Sequence, residues 1–327
     1  MKEALLLFKR GDFVESFHRI HLVVLDNKGE VVFKKGKEDL LTCMRSSAKP
    51  FQAIPIVLND IDKMYNLTDS ELAIFCGSIN GEDFQVETVR NILAKAGLDE
   101  SYLKCGPAYP SYKKYAEKLK SEGVKPAPIY HNCAGKHSGM LIFCKAKGLD
   151  IYSYYKEDHP LQREILNIIS EYAEVNEMDI KVVTDGCGLP VYFIPLKNIA
   201  IAYRNLSQRL NMVDSKVRRL IESALKHPEM IGGTDRLCTD VIKATDGRVF
   251  VKVGAEALYA GFNSKTKEAF VFKVEDGGQR ALNIFLVLLL KKLNWLYQDE
   301  LEKLQKYLNL SIRNSRNEVV GKIEPVF

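Results

Sequence analysis

Met44-Arg45-Ser46-Ser47-Ala48-Lys49-Pro50-Phe51-Gln52 puts a hydroxyl and an amine three positions apart where a helix is expected to begin. On a helix, positions three apart share a face, so Lys49 is placed to reach back over Ser46. A serine hydroxyl is a poor nucleophile until a base takes its proton, and a lysine kept neutral by burial or by a second cation can be that base. Ser46 also reads as an N-cap, with Pro50 tolerated in the first turn and Pro55 expected to kink or end the helix. Ser-x-x-Lys recurs at Ser101/Lys104, Ser111/Lys114, Ser153/Lys156, Ser223/Lys226 and Ser264/Lys267, so context decides which match is chemical.

Two other turns supply that context. Ser78-Ile79-Asn80 lies in a turn bounded by Gly77 and Gly81, and Lys252-Val253-Gly254 follows a branched run that reads as a strand. In this order the three resemble the Ser-x-x-Lys, Ser-Asp-Asn and Lys-Thr-Gly set of penicillin-binding proteins and serine β-lactamases. The bland alternative makes Ser46 a cap and Lys252 a solvated strand residue. The chemical reading has sound logic: a lysine close to a second ammonium and away from water loses its proton more easily. Backbone amides at the start of the helix after Ser46 would then favour a developing oxyanion.

Cys133-x-x-Lys136-His137 and Asp185-Gly186-Cys187 form a second constellation. Two thiolates, a histidine and a carboxylate suffice for a zinc site, but the usual Cys-x-x-Cys pair is missing, and spacing alone favours buried free cysteines. Cys43, Cys76, Cys105, Cys144 and Cys238 have no spacing argument and read as core. His18 and His21, beside Glu15-Ser16, could line a site or brace a strand.

Along the chain, Leu22 to Phe33 reads as a hairpin around Asn27-Lys28-Gly29. Helical patterns follow at 69–75, 87–96, 113–122, 137–147, 161–175, 199–206, 215–226 and 239–244. The segment 181–195 reads as strand-turn-strand, the run from Val249 begins as a strand, 269–274 is a strand, and 279–296 is a long helix. Strands, then helices, then strands and a final helix predict an α+β fold: a sheet from both chain ends with a helical subdomain inserted. The expected unit is one two-lobed catalytic domain over 1–327, with a sheet lobe of about 1–45 and 245–327 and a largely helical lobe of about 46–244.

Composition narrows the function classes. A net charge of +5 without a dense basic block argues against nucleic acid as the main partner, and Lys113 to Lys125 reads as a solvated amphipathic helix. Seven scattered cysteines suit reduced thiols in a cytoplasm. The apolar run in Met1 to Arg10 is too short for a signal peptide, and Ile284 to Leu290 falls short of the roughly 20 residues a bilayer needs, so neither export nor a membrane partner is expected.

Val14-Glu15-Ser16 with His18-Arg19 and His21, Arg45 to Pro50, His131-Asn132-Cys133-Ala134-Gly135-Lys136-His137, Asp185-Gly186-Cys187-Gly188 and Lys252-Val253-Gly254-Ala255-Glu256 resemble the asparaginase II family of the rhizobial type. The resemblance implies a fold like that of serine β-lactamases and glutaminases, and a homodimer. It implies L-asparagine as substrate, hydrolysed to L-aspartate and ammonia through a serine acyl-enzyme. Ser46 and Lys49 match the first Ser-Lys pair, with Ser46 as nucleophile, and Ser78 and Lys252 match the second. Cys133, Lys136 and Cys187 match a metal site, usually zinc, one ion per chain. Lys136, His137 and Asp185, together with Arg45, would face the amino acid. Another amide, glutamine or a peptide or lactam ring, and a non-catalytic metal- or amino-acid-binding protein are the alternatives.

Overall fold

Asp26 closes the first hairpin with its own side chain, accepting the backbone N–H groups of Lys28 at 2.8 Å and Glu30 at 2.9 Å. The computed structural model describes residues 2–213 and 215–327. Its strands are β1 (Ala4–Arg10), β2 (Phe13–Leu25), β3 (Val31–Lys35), β4 (Leu41–Cys43), β5 (Lys181–Thr184), β6 (Pro190–Pro195), β7 (Val249–Gly254), β8 (Leu258–Asn263), β9 (Ala269–Val274), β10 (Ser311–Arg313) and β11 (Val319–Val326).

Eight strands form one antiparallel sheet in the order β10-β11-β1-β2-β9-β8-β7, with β3 added beside β2. β1 pairs with β11 from Leu5↔Val326 to Arg10↔Gly321, so strands from the two ends of the chain meet near the β10 edge of this sheet. β2 changes partners halfway: Phe13 to Ile20 pair with β1, and Ile20 to Leu25 pair with β9. A second sheet, β4-β6-β5, has three strands. The α+β class and the sheet built from both chain ends are as the sequence predicts.

Helices cover both faces of the large sheet. Phe285, on the helix Gln279–Lys292, meets Phe272 of β9 edge-on at 4.9 Å. On the other side Tyr203, on the helix Leu196–Gln208, stacks on Phe250 of β7 at 6.5 Å. Tyr203 also meets Phe51 at 5.5 Å, and Phe51 meets Tyr172 at 5.7 Å, which joins the helices Lys49–Leu58 and Pro160–Ala173 to the same core. Strand periodicity then decides where Lys252 points: two residues beyond Phe250, it shares the face that looks at the helices.

Several local expectations need correction. Ser46 is not an N-cap; it lies inside a 3-10 turn, Arg45–Ala48, and the following helix is capped by Ala48 with Lys49 as its first residue. Pro55 does not end that helix, which runs on to Leu58 because residues 49–57 are all buried and packing outweighs the lost backbone bond. The run from Val249 does begin as a strand, β7, and continues into β8, but the chain closes on β10 and β11 rather than on a helix. No helix among the described residues is long and apolar enough to cross a membrane.

Candidate active site

Three elements converge on the Ser78 hydroxyl. The Met44–Ala48 turn is hung from β6 by the Met44 N–H donating to the Tyr192 carbonyl at 2.9 Å. It is tied to the core by the Tyr203 hydroxyl donating to the Ser47 carbonyl at 2.8 Å. Ser78 sits just past the helix Asp69–Phe75, whose start is fixed by a Thr68/Glu71 capping box. β7 brings Lys252 from the sheet, and its Gly254 is forced by the fit: a Cβ there would stand 2.9 Å from the Met44 carbonyl.

Within this frame Lys49 Nζ donates to Ser78 Oγ at 3.0 Å and Lys252 Nζ donates to the same oxygen at 2.7 Å. Lys49 also donates to the Asn132 carbonyl at 2.9 Å, and Lys252 to the Val253 carbonyl at 3.2 Å. Both lysines are wholly buried and Ser78 is 3% exposed, whereas Ser46 is partly open. Ser46 and Lys49 therefore do not pair directly as helix spacing suggests. Ser46 is held in a tighter turn, and the Asn132 carbonyl and Ser78 hydroxyl draw the amine the other way. The amides expected to serve an oxyanion are partly committed, Ser47 N–H to the Met44 carbonyl at 3.0 Å and Lys49 N–H to the Ser46 carbonyl. Arg45, just before Ser46, has φ 45°, a left-handed conformation that costs a non-glycine residue about 1 kcal/mol or more.

Burial governs the electrostatics. It pushes Lys49 down from the ordinary lysine range, helped by the Lys136 cation and opposed by Cys133. It pushes Lys252 down to about 7, with the Lys49 ammonium as the next cause. Burial also keeps His137 neutral, well below the usual imidazole range; its Nδ1 shares a hydrogen bond of 2.7 Å with the Tyr154 hydroxyl, and its Nε2 has no partner.

Cys133, Asp185 and Cys187 present ligand atoms within 4.8 Å of one another, and Lys136 Nζ lies 3.5 Å from the Cys187 sulfur. Cys133 precedes the helix Ala134–Lys147, which starts three residues earlier than its sequence pattern suggests and so carries Lys136 in its first turn. Cys187 and Asp185 sit in the β5–β6 turn. A hydrogen bond from Cys187 draws the Cys133 thiol well below the usual range against burial, and the ammoniums of Lys49 and Lys136 add to it. The same bond, then burial, pushes Cys187 up. Burial opposes charge on Lys136, yet Cys133, Cys187 and Asp185 together hold its proton on tightly. Arg45 Nε lies 2.7 Å from Asp185 Oδ1, an ion pair in which neither atom makes an aligned hydrogen bond.

The structure thus gathers Ser78, Lys49 and Lys252 into one cluster and Cys133, Lys136, Asp185, Cys187 and Arg45 into another, with Asn132 and Cys133 adjacent in sequence between them. His18 and His21 are occupied elsewhere. His18 faces Asp276 at 2.8 Å, and His21 accepts the Lys37 N–H at 3.0 Å. Two open surface grooves of about 630 and 550 Å3 are lined by none of these residues. Arg236, which spacing does not single out, lies 3.3 Å from the Asn80 side chain; its only sequence signal is a charged residue after the Gly232-Gly233 pair.

A candidate beta-lactamase from Bacteroides dorei DSM 17855 is similar in structure, with a TM-score of 0.45 and 12% identity over 83% of this chain and 93% of that one. A beta-lactamase from Mycobacterium bovis has a TM-score of 0.42 and 12% identity over 84% and 94%. No curated protein matches the sequence. The profile described as L-asparaginase II matches residues 7–325, from β1 to β11 and through both residue clusters, and the chain belongs to that family.

Proposed function

We propose that the protein is an L-asparagine amidohydrolase that works through a Ser46 acyl-enzyme. Family membership supports an amidohydrolase, and the observation that carries the mechanism is the Ser78 hydroxyl shared by two buried lysine amines. Ser46, the partly open serine, attacks the side-chain amide carbon of the substrate. Its proton passes to the Ser78/lysine cluster, where Ser78 accepts one proton and hands its own to whichever amine is neutral. The same path returns a proton to the departing nitrogen, so that ammonia leaves and Ser46 holds the aspartyl group. Water, deprotonated by the same cluster, then attacks the ester carbonyl, and the cluster returns that proton to the departing Ser46 oxygen as L-aspartate is released. Measuring aspartate and ammonia from purified protein, with asparagine, glutamine and a chromogenic lactam in parallel, tests the assignment. Asparagine is expected to be turned over best, and no release of ammonia from asparagine sinks it.

The second cluster suits zinc, since two sulfurs and a nearby carboxylate match that ion's ligand preferences, the Lys136 amine being an unusual further donor. Cys133, Lys136 and Cys187 would hold it, and a bound ion would supply a fixed positive charge beside the substrate. Lysine binds a metal only as the free amine, so loading would displace the proton that Lys136 keeps here. Elemental analysis is expected to find about one zinc per chain. The Cys133→Ser/Cys187→Ser double variant is expected to contain none, and retention of zinc in that variant would refute the site. In solution the chain is proposed to pair as a homodimer, with no nucleic acid or membrane partner, in the cytoplasm.

A further inference from the structure

The loop behind Ser78 is built to hold one arginine. The Ser78 N–H donates to the Ile231 carbonyl at 2.8 Å, so the loop after Ile231 runs directly against the serine. Gly233, at φ +108°, has no room for a side chain: a Cβ would stand 2.5 Å from a Glu82 oxygen and 2.8 Å from the Asn80 amide nitrogen. That close approach lets Asn80 Nδ2 donate to the Thr234 carbonyl at 2.8 Å and the Thr234 N–H donate to Glu82 at 2.8 Å. Asn80 Oδ1, two residues from Ser78, then accepts from Arg236 Nη1 at 3.3 Å.

Arg236 is half-buried, and among the described residues no carboxylate pairs with it. Its two acidic neighbours in sequence are taken by Lys306, Asp235 at 3.3 Å and Asp240 at 2.7 Å, and Asp240 also accepts the Tyr307 hydroxyl at 2.7 Å. Glu82 is spent on Thr234 and Asn80. The charge of Arg236 is nonetheless felt at Lys252, where it helps to disfavour the ammonium. Arg45, the arginine that the motif puts forward for substrate, is by contrast already paired with Asp185. A guanidinium presents its donors in a planar fork that matches a carboxylate, and this one, without a carboxylate partner, sits on Asn80 in the loop that runs against Ser78.

We propose that Arg236, steadied by Asn80 and relieved of its own acidic neighbours by Lys306, receives the α-carboxylate of the amino-acid substrate. The proposal rests on the asparaginase reading given above, and it moves the carboxylate from Arg45 to the loop at residues 232–236. It selects for a free α-amino acid over an amide within a peptide, which has no carboxylate at that position.

The test compares wild type, Arg236→Gln, Arg236→Lys and Arg45→Gln on asparagine and on β-alaninamide, the same amide without its α-carboxylate. Binding of L-aspartate is measured alongside by calorimetry. Measured at pH 9, above the range in which Arg236 bears on Lys252, Arg236→Gln is expected to raise KM for asparagine and weaken aspartate binding by about thirtyfold or more, while kcat and β-alaninamide turnover stay within about threefold. Arg236→Lys is expected to fall between Arg236→Gln and wild type. Wild-type affinity for aspartate in Arg236→Gln overturns the proposal, as does an equal loss on both amides, which would mark a purely structural arginine. If wild type releases no ammonia from asparagine, the proposed function fails, and the calorimetry still decides the subsite. A thirtyfold loss of aspartate binding in Arg236→Gln supports it, and a wild-type protein that binds no aspartate overturns it.

Discussion

Ser46→Ala is expected to lower asparagine turnover by about 10^4-fold or more while the protein stays folded. The hydroxyl is partly open and its turn is anchored through backbone groups of Met44 and Ser47, so removing one oxygen leaves the anchors in place. The same change at Ser78 acts differently. Ser78 is buried and accepts from both lysines, so alanine there leaves two amines without that acceptor and lowers stability as well as rate. Trapping of the acyl-enzyme by mass spectrometry separates the two serines: the adduct is expected on Ser46 and persists in Ser78→Ala if any turnover remains. An adduct on Ser78, or full activity in Ser46→Ala, would reverse their roles.

Lys252→Met is expected to cost about 10^3-fold or more in kcat/KM and to erase the acid limb of the pH profile. In the wild type, kcat/KM is expected to fall about tenfold per pH unit once the pH drops below the Lys252 value of about 7, because the ammonium cannot accept a proton. Burial and the Lys49 cation set that value, Arg236 adds to them, and Cys133 and Cys238 oppose. The stability consequence has a definite sign. The folded-state value lies below that of the unfolded chain, so between about 7 and the ordinary lysine value the unfolded state binds the extra proton. Stability contributed by this group therefore rises with pH across that window, and below it the fold carries a buried cation. Methionine removes the cation, so the variant is expected to be more stable than wild type by a few kcal/mol near pH 6, the order of magnitude that such a shift implies. Denaturant titrations at pH 6 and pH 9 measure it, and a variant less stable than wild type at pH 6 would contradict the account.

Motif order singles out Ser46, Lys49, Ser78 and Lys252 in the sequence, whereas Cys133, Lys136 and Cys187 stand out only through the family resemblance, since their spacing alone favours buried free cysteines. Their partners were less legible. Lys49 looks paired with Ser46 by helical spacing, but spacing along one helix does not register an acceptor brought in from another, and Ser78 and Asn132 come from elsewhere. Arg236 has no motif around it; only the two glycines that let the loop touch Asn80 hint at it. In the fold, β8 was hidden because the β7–β8 turn places Glu256 and Ala257 in left-handed backbone at φ 59° each, where glycine or asparagine would have signalled a hairpin. β11 was hidden because it contains Gly321 and Pro325, both poor strand formers, and its partner β1 lies at the far end of the sequence.

That last pairing sets the order of events in folding. Loop closure between β1 and β11 joins residues such as Leu5 and Val326, so the β10 side of the large sheet has to wait until nearly all of the chain is available. During synthesis β1 and the first half of β2 emerge early with an unpaired edge, and Phe13, Val14 and Phe17 lie on that segment. Ser46, Ser78 and the cysteine cluster emerge next, before the strand that supplies Lys252. A nascent chain therefore carries Ser46, Lys49 and Ser78 without the second amine until β7 has been made and paired with β8. Such non-local closure makes for slow folding and a prolonged exposure to aggregation, the kinetic side of a sheet that begins and ends the chain.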